Sequence, residues 1–374
     1  MKAGKINRKE NVREKILFFC ALGAAASLYF FTDADFPAFL TLLLLVYLLA
    51  AFLIIRCSGK KLEYDFEGPV QGEKKETVPV CLHVKNNGLL PVIKCCLHLS
   101  AENILTGEKI VRREVLALPP RGEKKVLFTL TDAYCGQIEM KVDRAAVEDP
   151  LSVFQREREC GGKKEYYVMP SMQEIRLSEE SVSHYDMESF RYSSEKKGID
   201  PSETFDLRGY MPGDSIKMIH WKLSGKLGDL IVREPGLPVE NSLMMILDKK
   251  IPEEENPDPR EAAGTAELLV SLSQGAIKLG IAHTIGWYNY ARKSFVTFKI
   301  KSREDIFRAL PELLSSPCRK DRISSAERFL EADSDKDFAC FFYVAMRGSN
   351  GQNETERLKQ YGNVTIYRTE NEEP

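Results

Sequence analysis

The residues best suited to chemistry lie in one stretch, GYMPGDSIKMIHWKLSGKLGDLIVREPG, from Gly209 to Gly236. Asp214 and His220 are of the types that form an acid–base pair, since a carboxylate and an imidazole can move a proton together. Such a pair needs a nucleophile or a water molecule within reach, and none is apparent in the stretch. We therefore expect structural residues here. A metal-independent hydrolase or transferase centred on Asp214 and His220 is the alternative.

The end of the apolar run SLMMILD is a second position for chemistry, because open α/β sheets bind ligands beyond the carboxyl ends of their strands. A von Willebrand factor type A domain has an acid there, followed two and four residues later by hydroxyls that hold Mg²⁺. This chain keeps Asp248 but has Lys250 and Pro252 at the hydroxyl positions. Ammonium groups repel a divalent cation. We expect a degenerate site without metal, in which Lys249 or Lys250 pairs with Asp248.

Other catalytic and cofactor motifs are missing from the sequence. It has no GxxxxGK[ST] phosphate loop, no GxGxxG between strand and helix, no GxSxG elbow and no HExxH. The nine cysteines include no CxxC pair, which favours reduced thiols. The net charge is −2, and basic and acidic residues are interspersed along the chain, so we expect no broad basic surface for nucleic acid. We expect no cofactor, no ATPase activity and no nucleic-acid partner.

Two apolar runs near the N-terminus predict a helical hairpin in the cell membrane. Phe36–Ile55 is uncharged and long enough to cross about 30 Å of hydrocarbon, and Ile16–Phe31 is shorter. Basic residues flank the hairpin on both outer sides, which places both ends in the cytoplasm. A cleaved signal peptide is the alternative for the first run, although Tyr29–Phe31 continue it past the cleavage position. Under both interpretations the soluble domains are cytoplasmic, and the hairpin makes the protein multi-pass.

The remaining sequence separates into two folded parts. Alternating apolar residues between turn signals predict an immunoglobulin-like β-sandwich. Further on, strands alternate with helices, which predicts an open, mostly parallel sheet of von Willebrand factor type A-like kind. The expected segments are a basic cytoplasmic N-terminus (1–15), two transmembrane helices (16–56), a β-sandwich (62–160), a linker (161–207), the signature segment (208–236) and the α/β domain (237–370).

The spacing of residues in the signature segment resembles the signature of the bacterial domain-of-unknown-function-58 family. Lys217 and His220 depart from it, since the family usually has Arg and often Asp there. The turn from Asp149 to Phe154 resembles the Asp-Pro-Phe-Gly-like turn that ends the family's β-rich region. The residues that carry the signature are Arg208, Tyr210, Gly213, Asp214, Lys217, Ile219, Trp221, Arg233 and Glu234.

The resemblance implies two N-terminal transmembrane helices, a β-rich region and a von Willebrand factor type A-like domain. It also implies a partner, because such proteins are encoded beside MoxR-type AAA+ ATPases. We therefore expect a membrane-anchored, non-enzymatic scaffold or adaptor that acts with such an ATPase in assembly, maturation or cell-envelope processes. An extracellular adhesin is a further interpretation, since type A domains often serve there.

Overall fold

The computed structural model describes residues 3–32, 35–58, 61–175, 191–239, 243–251, 253, 258–332, 338–347 and 355–369. Its internal contacts divide the chain into two compact units. The first contains residues up to Met169, except for two short segments. The second contains Pro170–Pro374 together with those segments, Ile104–Gly107 and Tyr134–Gly136.

The first unit begins with a pair of helices, α1 (Ala3–Thr32) and α2 (Asp35–Cys57), which pack against each other. Within the described residues, α2 is the one helix long and apolar enough to cross a membrane. The apolar part of α1 is Lys15–Phe31, about 25 Å long at about 1.5 Å per residue, which is shorter than the hydrocarbon core. The structure therefore supports one of the two expected spans by length, and the other falls short.

Two β-sheets follow in the first unit. The smaller contains β1 (Leu62–Glu67), β3 (Thr77–Asn86) and β6 (Glu123–Thr131), all antiparallel. The larger has the order β2-β9-β7-β4-β5, with β8 paired to β7; these strands are β2 (Gln71–Gly72), β4 (Val92–Asn103), β5 (Lys109–Leu118), β7 (Gly136–Glu148), β8 (Gln155–Glu159) and β9 (Lys163–Val168).

The two sheets share one apolar core, which makes them a β-sandwich. Val80, Leu82 and Val84 alternate along β3 and are buried against residues of the larger sheet. Tyr166 and Val168 of β9 belong to the same core. The sandwich thus continues to Val168, beyond the expected boundary at residue 160, because β9 completes the larger sheet.

The second unit has its own sheet, in the order β15-β14-β12-β17-β18. Strands β12, β14, β17 and β18 are parallel, and β15 pairs antiparallel at one edge. All five residues of β12 are buried, as expected for a central parallel strand. These strands are β12 (Leu243–Leu247), β14 (His283–Asn289), β15 (Ser294–Ile300), β17 (Cys340–Ala345) and β18 (Asn363–Arg368).

Helices pack against this sheet. The helix α4 (Pro259–Lys278) begins at Asp258, whose side chain accepts a hydrogen bond from the Arg260 amide. The next, α5 (Arg303–Ser315), begins with a reciprocal capping box between Ser302 and Asp305. A short helix, α6 (Ser325–Glu331), buries Phe329 against β12 and β17. A small pair, β13 (Lys250–Ile251) and β16 (Arg319–Lys320), lies near the end of β12.

A two-stranded ribbon contains the signature segment. Its strands are β10 (Arg191–Gly209) and β11 (Ile231–Val239), with a short helix α3 (Trp221–Leu227) between them. Part of the expected linker at 161–207 is therefore a strand, because residues 191–207 pair with β11. Residues 176–190 of that linker lie outside the described residues.

Candidate functional site

The signature segment is an excursion between two paired strands. Gly209 faces Ile231 in the ribbon, and the Tyr210 amide donates to the Leu230 carbonyl at 2.8 Å. Ile219 returns to bridge Val232, and both side chains are buried. The backbone of the segment is therefore tied to the ribbon at its two ends and in its middle.

Arg208 holds the excursion through two carboxylates. Its Nη1 and Nη2 donate to the two oxygens of Asp214, both at 2.7 Å, and its Nε donates to Glu234 at 2.7 Å. A planar guanidinium matches a carboxylate in this two-bond geometry, which fixes orientation as well as charge. The hydrogen bonds from Arg208 and from the Met211 amide lower the pKa of Asp214 to about 2. Arg208, Asp214 and Glu234 thus form one charge network.

A tight turn brings Asp214 back to Arg208. The Asp214 amide donates to the Met211 carbonyl at 3.0 Å, and the Met211 amide donates to the Asp214 carboxylate at 2.7 Å. Gly213 has a φ of 112°, a region that disfavours residues with a Cβ. Gly213 and Asp214 therefore have conformational roles in placing the turn.

His220 caps the helix α3. Its Nδ1 accepts a hydrogen bond from the Leu223 amide at 3.2 Å, and its backbone amide donates to the Ile231 carbonyl at 2.8 Å. Ser224 links the same elements, because its hydroxyl donates to the His220 carbonyl and accepts from the Ile231 amide. The sequence pattern gave no sign of this capping role, since Ser, Thr, Asp and Asn are the usual N-cap residues.

Several large apolar side chains of the excursion and of its flanks are exposed. Trp221 is 62% exposed. The signature residues Lys217 and Arg233 are also exposed. Aromatic and large aliphatic side chains presented on a fixed backbone are typical of protein-binding surfaces. We call this set the signature platform: Leu207, Tyr210, Met211, Ile216, Trp221, Leu227 and Leu230.

Asp248, the acid at the end of β12, is fully surrounded by protein donors. Its carboxylate accepts hydrogen bonds from the Tyr343 hydroxyl at 2.5 Å, the Ser325 amide at 3.1 Å and the Lys250 amide at 3.2 Å. Lys250 directs its ammonium to the Arg322 carbonyl at 3.4 Å. The residues that the structure describes contain no group of three or more His, Cys, Asp or Glu side chains placed to hold a metal ion.

We expected Lys249 or Lys250 to pair with Asp248, but the Lys249 ammonium points elsewhere. Its Nζ donates to the carbonyls of Leu313 at 2.5 Å and Ser316 at 2.7 Å, at the C-terminal end of α5. The Trp287 ring lies 5.6 Å from the same ammonium. Burial lowers the pKa of Lys249 to about 8. Consecutive residues of an extended chain point to opposite sides, which explains why Lys249 and Asp248 have different partners.

The fold and these sites define a mixed α/β protein with an apolar N-terminal helix and several sheets, antiparallel ones among them. No family model matches the chain, and no curated protein matches it.

Among solved structures, the chain is similar to the CARDB domain of a Pyrococcus furiosus protein in complex with di-metal ions. The identity is 20%, the TM-score is 0.23, and the likeness covers 29% of this chain and 88% of that one. It is also similar to an alkylpurine DNA glycosylase of Pseudomonas fluorescens bound to DNA, at 10% identity and a TM-score of 0.22, covering 34% of this chain and 39% of that one. TM-scores of this size assign neither fold family nor function.

Proposed function

We propose that this protein is a membrane-anchored, non-enzymatic adaptor that binds a MoxR-type AAA+ ATPase through the signature platform. The observation that carries the proposal is the exposure of Trp221 and its apolar neighbours in the sequence. Their backbone is held by the two hydrogen bonds from the Arg208 guanidinium to Asp214. A rigid surface loses little conformational entropy on binding, which favours affinity. The choice of partner rests on the resemblance of the signature to the domain-of-unknown-function-58 family.

The hydrogen bonds of Asp214 and His220 favour an adaptor over an enzyme. Asp214 accepts from Arg208 and from a backbone amide, and its low pKa makes it a weak base. His220 uses Nδ1 to cap α3. Both side chains are thereby used to order the platform.

The anchor in this proposal is the N-terminal hairpin, with α1 and α2 both crossing the membrane and with the β-sandwich and the second unit on the cytoplasmic side. Basic residues in the first turns of α1, ahead of its apolar part, and after α2 support this topology. The sandwich is of immunoglobulin-like kind, and the sheet of the second unit is a von Willebrand factor type A-like sheet. In that sheet Asp248 is the remnant of a metal site whose place is taken by hydrogen bonds from Tyr343 and Ser325.

Binding of the full-length protein in detergent to a purified MoxR-type ATPase tests the proposal. We expect Trp221→Ala to weaken binding by at least about tenfold, since a buried interface tryptophan often contributes more than 1 kcal/mol. Leu127→Ala is the matched control, because Leu127 is exposed on β6 of the sandwich, outside the platform. Equal affinity of wild type and Trp221→Ala would refute the platform as the binding surface.

A second measurement separates the adaptor from the hydrolase or transferase. Asp214→Asn removes the charge that the Arg208 guanidinium binds and keeps the size of the side chain. If a folded Asp214→Asn variant kept ATPase binding but lost a cellular activity, the enzyme would be the better interpretation. For an adaptor, we expect Asp214→Asn to lose both the binding of the ATPase and the local order that the Arg208–Asp214 hydrogen bonds maintain.

A further inference from the structure

The last turns of α2 are packed into the β-sandwich. Ile55 belongs to the sandwich core, and Ser58, just after the helix, donates its hydroxyl hydrogen bond to the Pro91 carbonyl at 2.8 Å. The rings of Phe52 and Phe154 meet edge to face at 5.9 Å. The C-terminal part of α2 and the sandwich therefore form one body.

The contact extends up the helix to Tyr47. The Tyr47 hydroxyl donates to the Asp149 carboxylate at 2.5 Å, and that carboxylate also accepts from the amides of Leu151 and Phe154. The turn after β7 is therefore level with Tyr47. At about 1.5 Å per residue, Tyr47 lies about 15 Å along the axis from Cys57.

This geometry conflicts with a sandwich that stays wholly in water. A membrane surface at Tyr47 would leave only Asp35–Val46 inside, about 18 Å of helix for about 30 Å of hydrocarbon. A membrane surface near Leu53 instead places Asp35–Leu53 inside, about 28 Å of helix, which matches the thickness of the hydrocarbon core. The sandwich turn then lies about 9 Å inside that surface.

The side chains at this level are apolar and exposed. On the free face of α2, Leu49 and Leu53 are both exposed, so the helix stays apolar on its outer side well past Tyr47. On the sandwich, Ile93 and Leu151 are exposed near the turn at Asp149. We infer that this edge of the sandwich is embedded in the interfacial layer of the lipid bilayer beside α2. The inference rests on the membrane anchor of the proposed function.

The carboxylates at the edge are hydrogen-bonded, and Glu148 is also paired with a cation, which permits insertion. Glu148 has a fully buried side chain that pairs with Lys94 at 2.9 Å and accepts from the Ser152 hydroxyl at 3.1 Å. Burying an unpaired charge would be prohibitive, whereas a paired and hydrogen-bonded charge is tolerated.

Basic side chains lie where α2 ends. Arg156 donates to the Arg56 carbonyl at 3.4 Å, and Arg158 donates to the Ser58 carbonyl at 3.1 Å. Arginine at the end of a membrane helix belongs at the level of the lipid headgroups. The arginines thus place the headgroup layer at the end of α2, and the turn at Asp149 lies deeper than that layer. Amphipathic surfaces of peripheral proteins insert about 5–10 Å, which agrees with this depth.

Tryptophan fluorescence in vesicles with brominated acyl chains tests the inference. The full-length chain has two tryptophans, so one added tryptophan can be followed by subtracting the wild-type signal. The edge probes are Leu151→Trp and, independently, Ile93→Trp, both at exposed positions. Leu42→Trp, exposed on α2, reports on the hairpin, and Leu127→Trp, exposed on β6 of the smaller sheet, is the matched control.

We expect both edge probes to lose at least about half of their added fluorescence, and to be quenched more by bromine near the carbonyl end of the chain than near its terminus. Leu42→Trp is expected to respond most to deep bromine, and Leu127→Trp to neither. Edge probes that match Leu127→Trp while Leu42→Trp is quenched would overturn the inference and leave the anchor intact. An unquenched Leu42→Trp would overturn the anchor and, with it, the inference.

Discussion

Replacing Lys249 by methionine should change how stability depends on pH. The ammonium is buried, donates to Leu313 and Ser316, and lies beside Trp287. Burial lowers its pKa to about 8 in the folded protein, against about 10.4 for an unfolded lysine. Between these values the unfolded chain binds more protons than the folded one, so Lys249 makes stability rise with pH.

The size of the effect follows from the pKa difference. A shift of about 2.4 pH units, at about 1.4 kcal/mol per unit, corresponds to about 3 kcal/mol. Below about pH 8 the folded protein carries the full cost of the buried charge, and by pH 10 most of it is relieved. Methionine has no proton to lose. The free energy of unfolding of the wild type, relative to Lys249→Met, should therefore increase by about 2 to 3 kcal/mol from pH 7 to pH 10.

Urea unfolding of the full-length protein in detergent measures this difference. Trp287 is fully buried near Lys249, so its fluorescence reports on the relevant core in a Trp221→Phe background. Buried groups that titrate in the opposite sense, such as Cys95, whose pKa burial raises to about 12, are present in both chains and cancel in the difference.

Lys299→Met, at an exposed position of β15, is the matched control, and its difference should stay within about 0.5 kcal/mol across the pH range. A difference between wild type and Lys249→Met that is flat, or that falls as pH rises, would refute the reasoning.

Three further predictions concern the signature segment. Because the pKa of Asp214 is lowered to about 2, the stability that its charge contributes is present above about pH 4 and is lost as pH falls through about 2. The difference in free energy of unfolding between wild type and Asp214→Asn should therefore be about the same at pH 7 and at pH 4, and should disappear at lower pH. His220→Ala removes the cap of α3 and should cost about 1 kcal/mol in urea unfolding, whereas Ser215→Ala, whose side chain makes no capping bond, should cost less than about 0.5 kcal/mol. Trp221→Ala should change the unfolding free energy by less than about 0.5 kcal/mol, and Trp287→Ala should lower it by about 3 to 5 kcal/mol; similar losses in the two would contradict the assignment of Trp221 to the surface.

The long periodic elements could be predicted from the sequence. The apolar run SLMMILD is β12, and strands alternate with helices in the second unit as expected. Both are set by local patterns that tertiary contacts reinforce. The helix α6 was missed because its seven residues are too few for a clear period. Strand β10 was missed because it has no apolar alternation and pairs through its backbone with the distant β11.

The candidate site was predictable in part. Arg208, Asp214 and Glu234 are among the signature residues read from the sequence, and the structure brings the three side chains together. The exposure of Trp221 could not be read from the sequence, since a tryptophan beside apolar residues fits a core equally well. The partners of Lys249 were equally hidden, because they are carbonyl groups of a helix that lies far along the chain.

The ribbon gives the signature segment an unusual freedom to vary. Gly209 and Ile231 face each other across β10 and β11, so the excursion leaves and re-enters the ribbon at the same point. A segment whose ends coincide can change in length or composition without shifting the strands that carry it. The exposed side chains of the excursion can then be exchanged together, provided that the excursion keeps a carboxylate for Arg208 and the buried contact of Ile219 with Val232.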